Sequence, residues 1–594
     1  MSIRKILPVF LIIVLLLSSC ATPATQAPAP EAPPAEQPVA TEAPAEPVET
    51  EAPAATEPPT AEEPEATEAP AVEEGPAVLR IGWAGSPDTL NPGPAVLTEA
   101  YILFELVYDS MFQLELDGSY TPELAESFEV SDDGLTWTFK IRDDVVFHDG
   151  EPLTANDVVF SYNFYAANDD FPYLPVYTEY FDSVEAMDDS TVVINMIEAI
   201  PNMESQLIFL YVLPEHIWSE HTENASEFEN LEMVGSGPFK MLEYRQNEFV
   251  HLAAVKDHYL YPPKIDEVVF QTFENQDALV QAIKTGQVDM ITEMPNTAVA
   301  SLRNEPNIEV VSGAPLAPGV SDIIFNQTPD DLCPADDGVC SGHPALKDRN
   351  VRLALAHATD KQKIIDVVLL GLGEPGLTLI PNGLGVWYND QIQDYEFDIA
   401  KANQILDDAG YVDTDGDGVR EMPDGSRPLT FRMNYPSDSI TAPREAELLS
   451  EMWTEVGVTV EIQALDPDAL TSVCCPTFDY DIILWGWGSD PDPGFLLSVM
   501  LTDEIPTGNS ETGYANPTFD DLYGQQATAL DFDERQALVW QMQEIVHSDI
   551  VYIIPYYELT VQAFRTDRFT GWILDAPKLA LEDVSSLVVV EPVK

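Results

Sequence analysis

The chain has 594 residues and carries 103 Asp and Glu against 26 Lys and Arg, a formal net charge of −77. A surface that acidic repels nucleic acid and anionic lipid headgroups, which excludes both as partners. It suits a cationic ligand, and it equally suits plain solubility or salt adaptation.

Arg4 and Lys5 precede an apolar run over residues 6–17, followed by Ser18, Ser19 and Cys20. A positive start, a short apolar stretch and small residues before a cut make an export signal. The run is shorter than the about 20 apolar residues that a spanning helix needs. Leu17-Ser18-Ser19-Cys20 resembles the lipobox of bacterial lipoproteins, which implies removal of residues 1–19 and acylation of Cys20. The protein is then expected on the outer face of the cytoplasmic membrane, extracellular or periplasmic, held there by lipid. Residues 20–77 are almost wholly Ala, Pro, Glu and Thr. They cannot bury enough apolar surface to offset their ordering entropy, so a disordered tether is expected. Proline and like-charged glutamates stretch it.

About 517 residues remain, more than one core of ordinary size holds, so two or three lobes are expected. Residues 136–141 alternate apolar and polar as a half-buried strand does, with Asp132-Asp133-Gly134 before them as a hairpin turn. Thr154, with Asp157 at the third helical position, caps a helix running through residue 164. Residues 265–273 read as a strand, 276–284 as a helix stopped by Gly286, and 288–291 as a returning strand. The same rhythm recurs in a strand over 429–435, a helix opening near Pro443 and a strand over 458–462. The helix carries Leu448, Leu449, Met452, Trp453 and Val456. Such β-α-β units build parallel or mixed sheets. An amphipathic helix over 534–547 aligns Leu538, Val539, Met542, Ile545 and Val546. No internal repeat is present.

In an exported protein an even set of cysteines points to disulfides. Cys333 and Cys340 flank a turn-rich loop and are expected to bridge. For Cys474 and Cys475 a vicinal bridge, free thiols or a bond to the 333–340 loop all fit the sequence. None of them has a zinc spacing.

Catalytic signatures are missing. There is no P-loop, no Gly-x-Ser-x-Gly elbow and no His-Glu-x-x-His. His216 and His221 stand five apart, not on one helix face. The sequence is not that of an enzyme, and no catalytic cofactor is expected. One metal motif stands out: Asp413, Asp415 and Asp417 at positions 1, 3 and 5, Gly418 at 6, Val419 at 7, Glu421 at 9 and Asp424 at 12. That is the oxygen-ligand spacing of an EF-hand-type loop, with a carbonyl from Val419, and it points to a structural Ca2+. Asp424 in place of the long bidentate Glu weakens the site. Pro423 turns the chain away from an exiting helix, so a strand should follow.

The stretch GLTWTFKIRDDVVFHDGEPLTANDVVFSY from Gly134 resembles the signature region of the bacterial family 5 extracellular solute-binding proteins. These are the oligopeptide, dipeptide and nickel receptors of ABC importers. DTLNP from Asp88, ELAESFEVS from Glu123, VGSGPFKMLEY from Val234, HPALKDRNVRLALAHATDKQKIIDVVLLG from His343 and DIILWGWGSDPDP from Asp481 agree in order. The resemblance spans about residues 78–594 and implies an α/β, two-lobed, periplasmic-binding-protein-like clamp of type II with an extra domain. Residues 78–113, 236–318 and 548–594 would form lobe I, 114–235 the extra domain and 319–547 lobe II. The lobes would close on ligand as a population shift, and an ABC permease would read the closed, monomeric form.

In peptide-binding members an Asp in a Trp-x-x-Asp segment meets the ligand ammonium. Trp487-Gly488-Ser489-Asp490 matches it, so the resemblance implies Asp490 as anchor. The loop to Pro493 is one residue short of the family pattern, so Asp492 could take that role instead. Trp485, Trp487, Trp387 and Tyr388 could line a pocket, stack on sugar or pack a core. The expected function is lipid-anchored capture of a peptide or similar small solute for an ABC importer. Nickel complexes, opines or oligosaccharides, or a signalling or adhesion role on the same fold, are the alternatives.

Overall fold

The computed structural model describes residues 75–168, 170–336 and 338–594. The leader, Cys20 and the body of the tether lie outside the described residues.

The first sheet has seven strands, in the order Ile308–Gly313, Thr560–Arg565, Met290–Ile291, Val78–Trp83, Glu267–Thr272, Phe249–Ala254 and Phe239–Arg245. Val78–Trp83 runs parallel to both of its neighbours. The crossover between those neighbours is the helix Gln276–Thr285, as the sequence suggests. Asn275 caps its start by accepting from the Ala278 N–H, and Gly286 ends it at φ 73°, a left-handed turn that glycine adopts without strain. The returning strand begins only at Met290. Asp289 before it is taken up by Arg80, whose guanidinium donates at 2.7 and 2.9 Å.

A four-stranded antiparallel sheet follows the order Ala125–Val130, Thr136–Ile141, Thr191–Met196 and Phe181–Asp188. The expected alternation holds: Trp137, Phe139 and Ile141 are buried. Gly134 makes the turn at φ 71°. Thr154 and Asp157 form a reciprocal capping box on the helix Ala155–Ala166. This sheet shares one apolar core with the first, since Leu79 and Ile81 belong to the same cluster as Trp137 and Phe139.

The third sheet has five strands, Thr459–Leu465, Thr430–Pro436, Ile482–Gly488, Gly319–Phe325 and Tyr552–Ile553. Thr430–Pro436 is parallel to both neighbours, and the helix Ala442–Thr454 buries Leu448, Leu449, Met452 and Trp453 in its core. Gly319–Phe325 is antiparallel to Ile482–Gly488. Separate cores cover its two faces, one around Ile323, Met433 and Trp453, the other around Ile324, Ile483, Val539 and Met542. The chain passes between the first and third sheets twice, through residues 314–318 and 554–559.

Cys333 is bonded to Cys340, and Cys474 to Cys475. The late helix runs Phe532–Asp549 and buries Val539, Met542 and Val546 as the pattern requires, but also Arg535 and Gln543. His216 bonds Asp149 at 2.8 Å and His221 stacks on Phe228, so the two histidines have separate local partners.

Candidate functional site

The strand Ile482–Gly488 starts apolar and buried and ends half-exposed at Trp485, Trp487 and Gly488. Gly486 lets it lie close to its neighbour: a Cβ there would meet the Val320 carbonyl oxygen at 2.4 Å. Just past the strand, the Ser489 N–H donates to the Pro318 carbonyl at 3.2 Å, tying this end to the 314–318 crossing.

Asp490 and Asp492 then part company. Asp492 is buried, and its two oxygens accept from Arg535 at 2.5 and 2.8 Å. The Gly494 N–H donates to the same carboxylate at 2.8 Å. Arg535 also donates to Gln526 and lies 4.9 Å over the Trp387 ring. Asp492 is therefore a structural ion pair, which corrects the reading in which it offers itself to ligand. Asp490 has no hydrogen-bond or ion-pair partner among the described residues. Solvent reaches it, yet the surrounding protein strips away enough water to raise its carboxyl to about 6, with Asp492 adding like charge.

Across from Asp490 stands Tyr177, whose phenol is raised by burial and then by that carboxylate. It stacks on Phe209 with centroids 4.9 Å apart. Tyr101 and Tyr173 are near enough to act on its phenol, and Asp88 acts in turn on that of Tyr101. Asp88 itself accepts from the Val96 and Leu97 N–H groups. In the first sheet the parallel strands Val78–Trp83 and Met290–Ile291 end beside Gly85 and Glu293. Glu99 lies against Gly85, where a Cβ would collide with its carboxylate. Burial first, then Glu293 and Asp88, raise the Glu99 carboxyl. Asp490 follows the carboxyl end of Ile482–Gly488, and Asp88 and Glu293 follow those of Val78–Trp83 and Met290–Ile291, the strand ends at which open α/β sheets take ligands. Among the described residues no Lys, Arg or His influences Asp490, Glu99 or Tyr177.

The predicted aromatics do not all gather there. Trp487 donates its indole N–H to Glu511 at 2.7 Å and meets Phe495 edge-on. Trp485 stands opposite Asp322 in the antiparallel pair. Trp387 is 3 % exposed, packed between Arg535 and Phe532. Its ring is core, one of the roles its sequence position leaves open. Tyr388 leans on Tyr557, and burial raises its phenol to about 12. The sequence reading missed Tyr177, Glu99, Glu511 and Arg535. Of these only Arg535 left a signal, four residues before Val539 on the buried face of its helix.

The calcium-type loop closes on itself. Asp413 accepts from the Gly416 and Gly418 N–H groups, Asp417 from that of Val419, and Glu421 from Thr414. Ligand oxygens of Asp413, Asp415, Asp417 and Glu421 lie within 4.8 Å of one another, so this exposed cluster has the oxygen set for a hard cation. Asp424 is not among them. It accepts from Ser426 in the next turn, and position 9 closes the cluster where position 12 was expected.

A sequence profile described as bacterial extracellular solute-binding proteins, family 5 Middle, matches residues 119–506. The oligopeptide-binding protein AppA of Bacillus subtilis is 26% identical over 489 residues, 81% of this chain and 86% of that protein. Heme-binding protein A of Haemophilus influenzae is 28% identical over 458 residues, 73% of this chain and 78% of that protein. The crystal structure of the ABC transporter substrate-binding protein CtaP from Listeria monocytogenes superposes with a TM-score of 0.70 at 26% identity, covering 88% of this chain and all (100%) of that one.

Proposed function

The chain belongs to family 5 of the bacterial extracellular solute-binding proteins, which bind solutes for ABC transporters outside the cytoplasm and do not catalyse, and we propose that its solute is a peptide. The observation that carries this reading is Asp490, a solvent-reached carboxylate with no partner among the described residues, whose charge acts on the phenol of Tyr177. An α-ammonium would supply the missing charge, and the tyrosines would cover the adjoining backbone. The oligopeptide-binding relative supports the same class. Heme would bring its own carboxylates beside Asp490, on which no cation among the described residues acts, so the heme-binding relative carries less weight.

The test is titration calorimetry of free and N-acetylated peptides against wild type and Asp490→Ala. Asp490 is exposed without ligand, and closure of the lobes on the peptide buries the pair. Breaking a buried charge pair costs about 3–5 kcal/mol, so affinity for free peptides should fall by about two to three orders of magnitude. Equal binding of free and acetylated peptides by the wild type overturns the reading and favours a metal complex or sugar.

Three finer features belong to the same proposal. Residues 319–547 form the lobe that presents Asp490, and residues 78–113, 236–318 and 548–594 form the opposing lobe. Residues 114–235 form the extra domain that contributes Tyr177. Cys20 carries the lipid anchor: Cys20→Ser should move the protein from the membrane fraction to the soluble or uncleaved pool, and unchanged fractionation refutes it. A structural Ca2+ fills the loop of Asp413, Asp415, Asp417 and Glu421, with the Val419 carbonyl as a further ligand.

A further inference from the structure

We infer that Glu511, backed by Asp322, is a positioning residue that fixes Trp487 and through it the strand end bearing Asp490. The inference rests on the proposed site at Asp490 and adds a residue to it that touches no ligand.

The geometry is specific. Trp487 and Asp490 lie on one short segment, and the single polar atom of the indole donates to Glu511 at 2.7 Å. Glu511 is 3 % exposed and held from behind. The Tyr480 hydroxyl donates to its backbone carbonyl, and the neighbouring Thr512 carbonyl accepts from the Gln327 N–H at 2.7 Å. The loop carrying Glu511 is thus fixed to the third sheet, and the Trp487 ring is hung from it. On the same face of that sheet, directly across from Trp485, Asp322 is fully buried, with the Trp485 backbone N–H beside its carboxylate. Tyr480 and Tyr552 also face the two acids, and Glu445 with Tyr556 lies beyond Asp322.

Among the described residues no Lys, Arg or His faces Asp322 or Glu511. Two buried acids without a cation do not both ionise. Burial holds the Asp322 carboxyl far above its usual range and raises Glu511 to about 7, so it is the pair that gives up a proton there. The charge beside the Trp487 indole therefore changes with pH, whereas a plain packing contact would not.

The experiment uses the mature chain labelled with 5-fluorotryptophan, in an Asp490→Asn background so that Glu511 is the group titrating beside this strand end. The Trp487 resonance, assigned by Trp487→Phe, is followed by fluorine NMR from pH 5 to 9 without ligand. A shift with a midpoint near 7 that vanishes in Glu511→Gln, which keeps an acceptor but cannot ionise, supports the inference. A pH-independent resonance, or one that titrates unchanged in Glu511→Gln, overturns it. A second arm measures tri-alanine affinity at pH 7.5 with Asp490 intact. About a tenfold loss in Glu511→Ala, with less than twofold in Glu511→Gln, is expected, and equal losses in both overturn the positioning role. Should Glu511→Ala not fold, the Glu511→Gln titration decides alone. Failure of the wild type to bind tri-alanine counts against the peptide reading, while the ligand-free titration still judges Glu511.

Discussion

Exchanging the two neighbouring acids separates stability from recognition. In Asp492→Ala, Arg535 loses both carboxylate contacts, at 2.5 and 2.8 Å, while its side chain stays 5 % exposed. It keeps the hydrogen bond to Gln526 and the face of Trp387, neither of which neutralises its charge. Orphaning one partner of a buried pair costs about 3–5 kcal/mol. Replacing both as Asp492→Ala with Arg535→Met leaves no buried charge, so the double variant should recover part of that loss and fall well short of the sum of the singles. Asp490→Ala removes a desolvated, unpartnered carboxylate and should leave stability unchanged or slightly raised. Equilibrium urea denaturation of the four variants gives the midpoints, and calorimetry on the folded proteins gives peptide affinity. An Asp492→Ala midpoint equal to wild type, or a loss of stability in Asp490→Ala as large as that in Asp492→Ala, would refute this division of roles.

Stability should be higher at pH 5 than at pH 8. Burial raises Glu511, Glu445 and Glu582 to about 7 and Glu105 to about 8. Below the unfolded value, near 4.5, both states hold these protons; above it the unfolded chain releases protons that the native state keeps, so stability falls as pH rises through 7 to 8. Thermal unfolding across that range checks the sign, and a midpoint rising with pH contradicts it. Chelation should lower the melting temperature, since a cation at 100 times its dissociation constant contributes about 2.7 kcal/mol. Asp413→Ala with Asp415→Ala should abolish that sensitivity and Asp424→Ala should not; identical curves with and without chelator argue for an empty loop. Gly486→Ala should cost about 1–3 kcal/mol, because its Cβ would meet a backbone oxygen that cannot step aside. An unchanged denaturation midpoint would show that the strand pair has slack.

Much of the fold was legible because its signals are local. The alternation at Trp137, Phe139 and Ile141, the cap at Thr154 and the stop at Gly286 each act within a few residues, and all three recur in the structure. The parallel placement of Thr430–Pro436 and Thr459–Leu465 followed from the helix between them. What was not legible depends on contacts between distant segments. Trp387 suits a pocket wall or a core equally well in sequence, and only the approach of Arg535 and Phe532 makes it core. Glu511 carries no motif at all; its meaning comes from an indole 24 residues away.

The Asp490–Asp492 pair shows the same limit at the site itself. Read in sequence, each is an acid in a turn after a tryptophan-rich strand, and loop length alone favoured neither. Their difference is set by one cation, Arg535, separated from Asp492 by 43 residues. That guanidinium satisfies one carboxylate bidentately and leaves Asp490 without a partner among the described residues. A site whose charges are already matched gains little from a charged ligand. Arg535 therefore does more than stabilise the lobe: by neutralising Asp492, it leaves Asp490 as the acid of the pair open to the ammonium proposed above.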